Sequence, residues 1–111
     1  MFGSARKFAP IEISPADLQA MLGDGRAIVV DVREPGEFAA GHIPGARNLP
    51  LSRFDPAQLP DAGGKALILN CAGGKRSAMA LDRCAVAAAA VDTHLAGGFG
   101  AWAAAGLPVE Q

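Results

Sequence analysis

The chain has 111 residues, half of them hydrophobic, and a formal net charge of -1. That length supports one domain whose core needs no disulfide or metal staple, and the near-balanced charge does not point to nucleic acid or an acidic membrane surface. The longest apolar run, Cys84 to Val91, is far shorter than the roughly 20 residues of a bilayer-spanning helix.

Met1 to Pro10 carries two basic residues but no apolar stretch like that of a signal peptide. It reads as a flexible leader, and the cytoplasm is the expected location. Ile11-Glu12-Ile13 alternates as a short strand does. Ser14 and Pro15 mark a helix start, as N-cap and first helical residue. Leu18, Met21 and Leu22 form its apolar face, and Gly23 or Gly25 ends it. Ala27-Ile28-Val29-Val30 is continuously apolar, as in a strand covered on both faces. Pro35 opens a short helix through Ala40 that Gly41 stops, and Ala46 to Leu49 forms a further short strand. Ala66-Leu67-Ile68-Leu69 is another buried strand. Ser77 to Ala90 is rich in helix formers and has neither Gly nor Pro. Val91 to Leu95 reads as the last strand, followed by Gly97-Gly98 and a short helix around Trp102, packed with Phe99. Strands alternating with helices predict an α/β domain with a mainly parallel sheet.

Two cysteines make no disulfide framework. Cys84 lies on the helix that leaves the Cys71 region, on the order of 11 Å along it at ~1.5 Å rise per residue. A bridge needs Cα atoms within ~7 Å, so Cys84 reads as a small apolar core residue. Cys71 is different. It opens the segment Cys71-Ala72-Gly73-Gly74-Lys75-Arg76, between a strand's carboxyl end and a helix. Glycines let backbone N–H groups close around a bound group, and a helix N-terminus favours negative charge. Lys75 and Arg76 add positive charge at the rim. Such a nest suits a phosphate, a sulfur oxyanion or the terminal sulfur of a modified cysteine, and it favours Cys71 as a thiolate.

Four segments together resemble the rhodanese family of single-domain sulfurtransferases. They are Val30-Asp31-Val32-Arg33-Glu34, Gly41-His42-Ile43-Pro44-Gly45-Ala46, Cys71 through Ser77, and Gly97-Gly98 with Trp102. The resemblance runs from Ile11 to Val109. It implies a five-stranded mainly parallel sheet flanked by helices on both faces, with the strand ending at Asp31 beside the one ending at Asn70. It further implies that Cys71 is the nucleophile and carries a persulfide. Thiosulfate would be the donor, and cyanide, a small thiol or a protein thiol the acceptor. The loop amides of Ala72, Gly73 and Gly74 would hydrogen-bond the outer sulfur, and Lys75 and a catalytic Arg76 would draw in the anionic donor and stabilise charge on the departing sulfite. Arg33 would add to the positive field, and Asp31 would support the loop. No metal or organic cofactor is required by this chemistry, and a monomer is expected.

Cysteine phosphatases and arsenate reductases on the same fold carry five residues between Cys and Arg. Here four lie between Cys71 and Arg76, and none of them is an acid that would protonate a leaving group. That enzyme class is the alternative, and a sulfur-carrier or partner-binding module is the third. His42 is expected to order its turn through hydrogen bonds. His94 fits no zinc-site spacing. The chain departs from the family at Ala87 to Ala90, where relatives usually carry Gly and an aromatic, so the helix end and strand register there stay open.

Overall fold

Residues 9–111 are described by the computed structural model. All but the last two residues of the expected leader lie outside them. Five strands, β1 (Ile11–Ile13), β2 (Ala27–Asp31), β3 (Arg47–Asn48), β4 (Ala66–Asn70) and β5 (Thr93–Leu95), form one all-parallel sheet in the order β1-β5-β4-β2-β3. Four helices connect or follow them: α1 (Pro15–Gly23), α2 (Pro35–Ala40), α3 (Lys75–Val86) and α4 (Gly98–Ala104). Short 3-10 turns at Leu51–Arg53 and Pro56–Gln58, which the residue pattern does not announce, lead from β3 towards β4.

The sheet separates two apolar cores because successive side chains point to opposite faces. Val29, Ile68 and Leu95 pack with Leu18 of α1 and Trp102 of α4. Val30 and Leu69, each one residue on from its counterpart, pack with Ala80, Leu81 and Cys84 of α3. This double burial explains why β2 and β4 read as unbroken apolar runs. Asp31 pairs in register with Asn70, so the carboxyl ends of the two central strands lie side by side. Ligands of open α/β sheets gather at such ends. Ser14 caps α1 as expected, its Oγ accepting from the Asp17 amide at 3.1 Å.

Both boundaries of α3 differ from expectation. The helix begins at Lys75, so Lys75 and Arg76 belong to its first turn rather than to the loop. It ends at Val86, four residues short of Ala90. There the Ala88 amide donates to the Ala85 carbonyl and the Ala89 amide to the Cys84 carbonyl, the two bonds of a Schellman cap. That cap requires a left-handed residue after the helix, and Ala88 takes it with φ of 56°. Helix propensity within the alanine run is overridden by the need to turn towards β5, which itself starts only at Thr93.

An alanine in that conformation is strained by its Cβ. Ala88→Gly is expected to stabilise the domain by about 0.5–1 kcal/mol, read as a raised urea midpoint at unchanged slope. A lower midpoint would contradict this account of the helix end.

Candidate active site

Cys71 follows β4 directly and is 1% exposed. Its thiol is not enclosed by hydrocarbon alone. Gly74 has φ of 107°, a left-handed conformation natural to glycine, and its N–H donates to Cys71 Sγ at 3.0 Å. Ser77, in the first turn of α3, places Oγ 3.5 Å from Sγ. Burial pushes the Cys71 thiol pKa up. The Ser77 hydroxyl and the amides of Ser77, Gly74 and Gly73 outweigh burial and hold it below the ordinary thiol value. Cys84 has only burial acting on it, which raises its pKa. Both cysteines are free thiols.

The amides face the sulfur because α4 holds the carbonyls. Phe99 N–H donates to the Cys71 carbonyl at 2.7 Å, and Gly100 N–H donates to the Ala72 carbonyl at 3.0 Å. In a trans peptide N–H points opposite to C=O, so turning the Ala72 carbonyl towards α4 turns the Gly73 amide away from it. This contact needs Gly98. Its φ is 63°, and a Cβ there would lie 2.5 Å from the Cys71 carbonyl oxygen and 2.7 Å from the Ala72 carbonyl. Gly73, by contrast, has open space around its Cα and no positive φ, so nothing in the structure demands glycine there.

The cations are less available than their positions in the chain suggest. Arg76 is bidentate to Glu37 of α2, at 2.7 and 2.9 Å. Glu37 also accepts from the Glu34 amide within a capping box, and its pKa falls to about 2, chiefly through the Arg76 hydrogen bonds. Arg33 does not sit on an open rim. It is 5% exposed, paired with Asp31 at 2.8 Å, donating to the Gly41 carbonyl at 2.7 Å and stacked 4.4 Å from the Phe99 ring centre. It binds the end of β2 to the start of α4 rather than contributing an exposed charge. Lys75 remains exposed at the rim. His42 orders its turn as expected, with Nδ1 2.7 Å from the Phe38 carbonyl and its ring stacked on Phe38.

Residues 14–105 match the profile of the rhodanese-like domain. The chain belongs to the rhodanese-like domain family. An uncharacterized protein of Synechocystis sp. is 46% identical over 98 residues, 88% of this chain and 55% of that protein. A human thiosulfate:glutathione sulfurtransferase is 45% identical over 56 residues, covering 50% of this chain and 49% of that enzyme. The chain thus spans about half the length of these two relatives. The crystal structure of a rhodanese-related protein from Thermoplasma volcanium superposes with a TM-score of 0.76 at 31% identity, covering 90% of this chain and 97% of that one.

Three residues of this rhodanese-like site escape sequence reasoning. Glu37 stands 39 positions before its partner Arg76, with no local pattern that links the two. Ser77 closes the Cys71 segment without an assigned role, yet it is buried with Oγ 2.7 Å from His94 Nδ1. His94 is remote from Cys71 in the chain. The pleat of β5 nevertheless sends Leu95 to the α1 and α4 core and His94 to the α3 face. Among the described residues no helix is long and apolar enough to cross a membrane.

Gly98→Ala is expected to destabilise the domain by about 2 kcal/mol or more, since backbone atoms cannot yield as a side-chain end can. It should also slow Cys71 alkylation, because the amides lose their orientation. Unchanged stability and reactivity would contradict this role. Glu37, with its depressed pKa, stabilises the fold above its usual value of 4.5 and loses that contribution as pH falls towards about 2. The difference in urea midpoint between wild type and Glu37→Gln should shrink over that window, and a constant difference would show that the ion pair does not matter.

Proposed function

We propose that this domain is a sulfurtransferase that moves sulfane sulfur from an anionic donor such as thiosulfate to a nucleophilic acceptor. The observation that carries this reading is Cys71 Sγ held under the Gly74 amide, in a loop with only four residues before Arg76. A ring this tight suits a single sulfur atom better than a tetrahedral phosphate. The partial similarity to a thiosulfate:glutathione sulfurtransferase supports the same chemistry.

The Cys71 thiolate attacks the outer sulfur of thiosulfate. A Cys–S–S bond forms, the sulfur–sulfur bond of the donor breaks, and sulfite leaves with the electron pair. The anionic outer sulfur then rests against the amides of Ala72, Gly73 and Gly74. Cyanide or a thiol attacks that sulfur and releases the Cys71 thiolate, so the cycle is ping-pong. Covalent transfer of this kind uses no metal or organic cofactor. Lys75 attracts the anionic donor. Arg76 adds its field at Cys71, tempered by Glu37. The acceptor is a small thiol, cyanide or a cysteine of a partner protein, and the domain works as a monomer. Two unpaired cysteines are in keeping with a reducing compartment, and the cytoplasm is the location that goes with this reading.

Exposure to thiosulfate should add one sulfur atom to the intact mass of the wild type, and cyanide should then release thiocyanate. Cys71→Ser should abolish both, whereas Cys84→Ser should retain them. Turnover of an aryl phosphate or arsenate with no gain of sulfur would instead assign the phosphatase and reductase class. Binding of a partner with neither activity would assign an inactive module.

A further inference from the structure

From the nucleophile a second line of polar atoms runs along the α3 face of the sheet. Cys71 Sγ lies 3.5 Å from Ser77 Oγ, Ser77 Oγ lies 2.7 Å from His94 Nδ1, and His94 Nε2 lies 3.8 Å from Glu12 Oε2. Ser77 is 0% exposed and His94 4%, while the Glu12 side chain is 63% exposed. The line therefore begins at a buried thiol and ends at a carboxylate in solvent.

We propose that Ser77 and His94 form a proton relay that takes the Cys71 proton from the buried thiol towards solvent, with Glu12 as its outer end. This rests on Cys71 being the sulfur-transfer nucleophile, because only then must the thiol shed a proton in each cycle that begins from it. A serine hydroxyl has one proton and can point it only one way at a time. With Cys71 as thiol, S–H donates to Ser77 Oγ while Ser77 O–H donates to His94 Nδ1. With Cys71 as thiolate, His94 Nδ1–H donates to Ser77 Oγ and Ser77 O–H donates to sulfur. The change between the two states moves the thiol proton onto Ser77 as the Ser77 proton passes to Nδ1. Sulfur keeps the electron pair of the broken S–H bond, and imidazole becomes imidazolium. Nε2–H then faces the Glu12 carboxylate, which opposes the new charge before the proton passes to water. Ser77 also reaches the Gly74 carbonyl at 3.2 Å, a longer contact than the one to His94.

The surroundings of His94 suit a transient charge. β5 packs against β1, β4, α3 and α4. Glu12 is the ionisable residue of β1, in register with His94, and β4 and α4 contain none. On α3, Arg76 is tied to Glu37, Arg83 donates to the Leu51 carbonyl, Lys75 is exposed, and Asp82 and Cys84 lie beyond the first turn. Burial lowers the His94 pKa and Glu12 raises it, with burial dominant, so the resting ring is a neutral base.

His94 and Ser77 are positioning residues, acting on sulfur at one remove, and the test uses the pH profile of Cys71. Alkylation of Cys71 is followed by peptide mass across pH in wild type, His94→Asn, Ser77→Ala, Ser77→Thr and Glu12→Gln. Asparagine offers a hydrogen-bonding atom near the Nδ1 position but takes up no proton. His94→Asn and Ser77→Ala should raise the midpoint by about one unit, about a tenfold loss of rate below it. Ser77→Thr should restore the wild-type profile, and Glu12→Gln should give a smaller rise. A wild-type profile in His94→Asn would overturn the relay. Nitrogen NMR of the His94 ring in the wild-type protein decides the matter if the buried variants fail to fold. Proton uptake at Nδ1 should accompany Cys71 ionisation and disappear in Cys71→Ser, whereas a ring that stays neutral in one tautomer throughout would also overturn the relay. Failure of the wild type to gain sulfur from thiosulfate would sink the sulfur-transfer reading alone, since the titrations still judge the relay.

Discussion

Two hydrogen bonds from the start of α4 govern this site. By accepting from Phe99 and Gly100, the carbonyls of Cys71 and Ala72 are drawn away from the sulfur. The peptide planes then have no choice but to present their amides on the other side. A thiol buried without that arrangement would be a poor nucleophile, as Cys84 illustrates: it is equally buried, lacks such donors, and has a raised pKa. The same burial that excludes water from Cys71 strengthens each donor aimed at it.

The charged residues serve this geometry more than they display charge. Arg33 spans the Asp31 carboxylate, the Gly41 carbonyl and the Phe99 ring, so it ties the end of β2 to the helix that holds the loop. Arg76 and Glu37 join α3 to α2. Removing one partner of the buried Arg33 pair would leave an uncompensated charge, a cost of about 3–5 kcal/mol in comparable buried pairs. Neutralised cations also limit how strongly the site attracts anions, leaving Lys75 as the exposed positive group of the rim.

Much of this was legible in the residues. The apolar runs at 27–30 and 66–69, the caps at Ser14 and Pro15, and the loop from Cys71 each correspond to features of the fold, because each rests on local patterning. The family resemblance supplied the number of strands and the adjacency of Asp31 and Asn70, which periodicity does not encode, but not the full strand order. What escaped is non-local. Nothing near Arg76 announces Glu37, and nothing near Cys71 announces His94, because both partners are brought in by the sheet and its crossovers. The overlong reading of α3 failed for a different reason. Four consecutive alanines favour helix, but the chain has to turn at Ala88 to reach β5. The two 3-10 turns after β3 lacked any periodic signal long enough to register.

Inward-facing amides and the Ser77 hydroxyl hold the residue 71 thiol below its ordinary pKa, where burial alone would raise it. Thiolate absorbance followed against pH in the wild-type chain tests this most directly, with Cys84 as the internal comparison and Cys71→Ser to assign each transition. One transition should fall below the ordinary thiol value of about 8.5 and vanish in Cys71→Ser, while the other lies above it. Two transitions at or above that value would contradict the account.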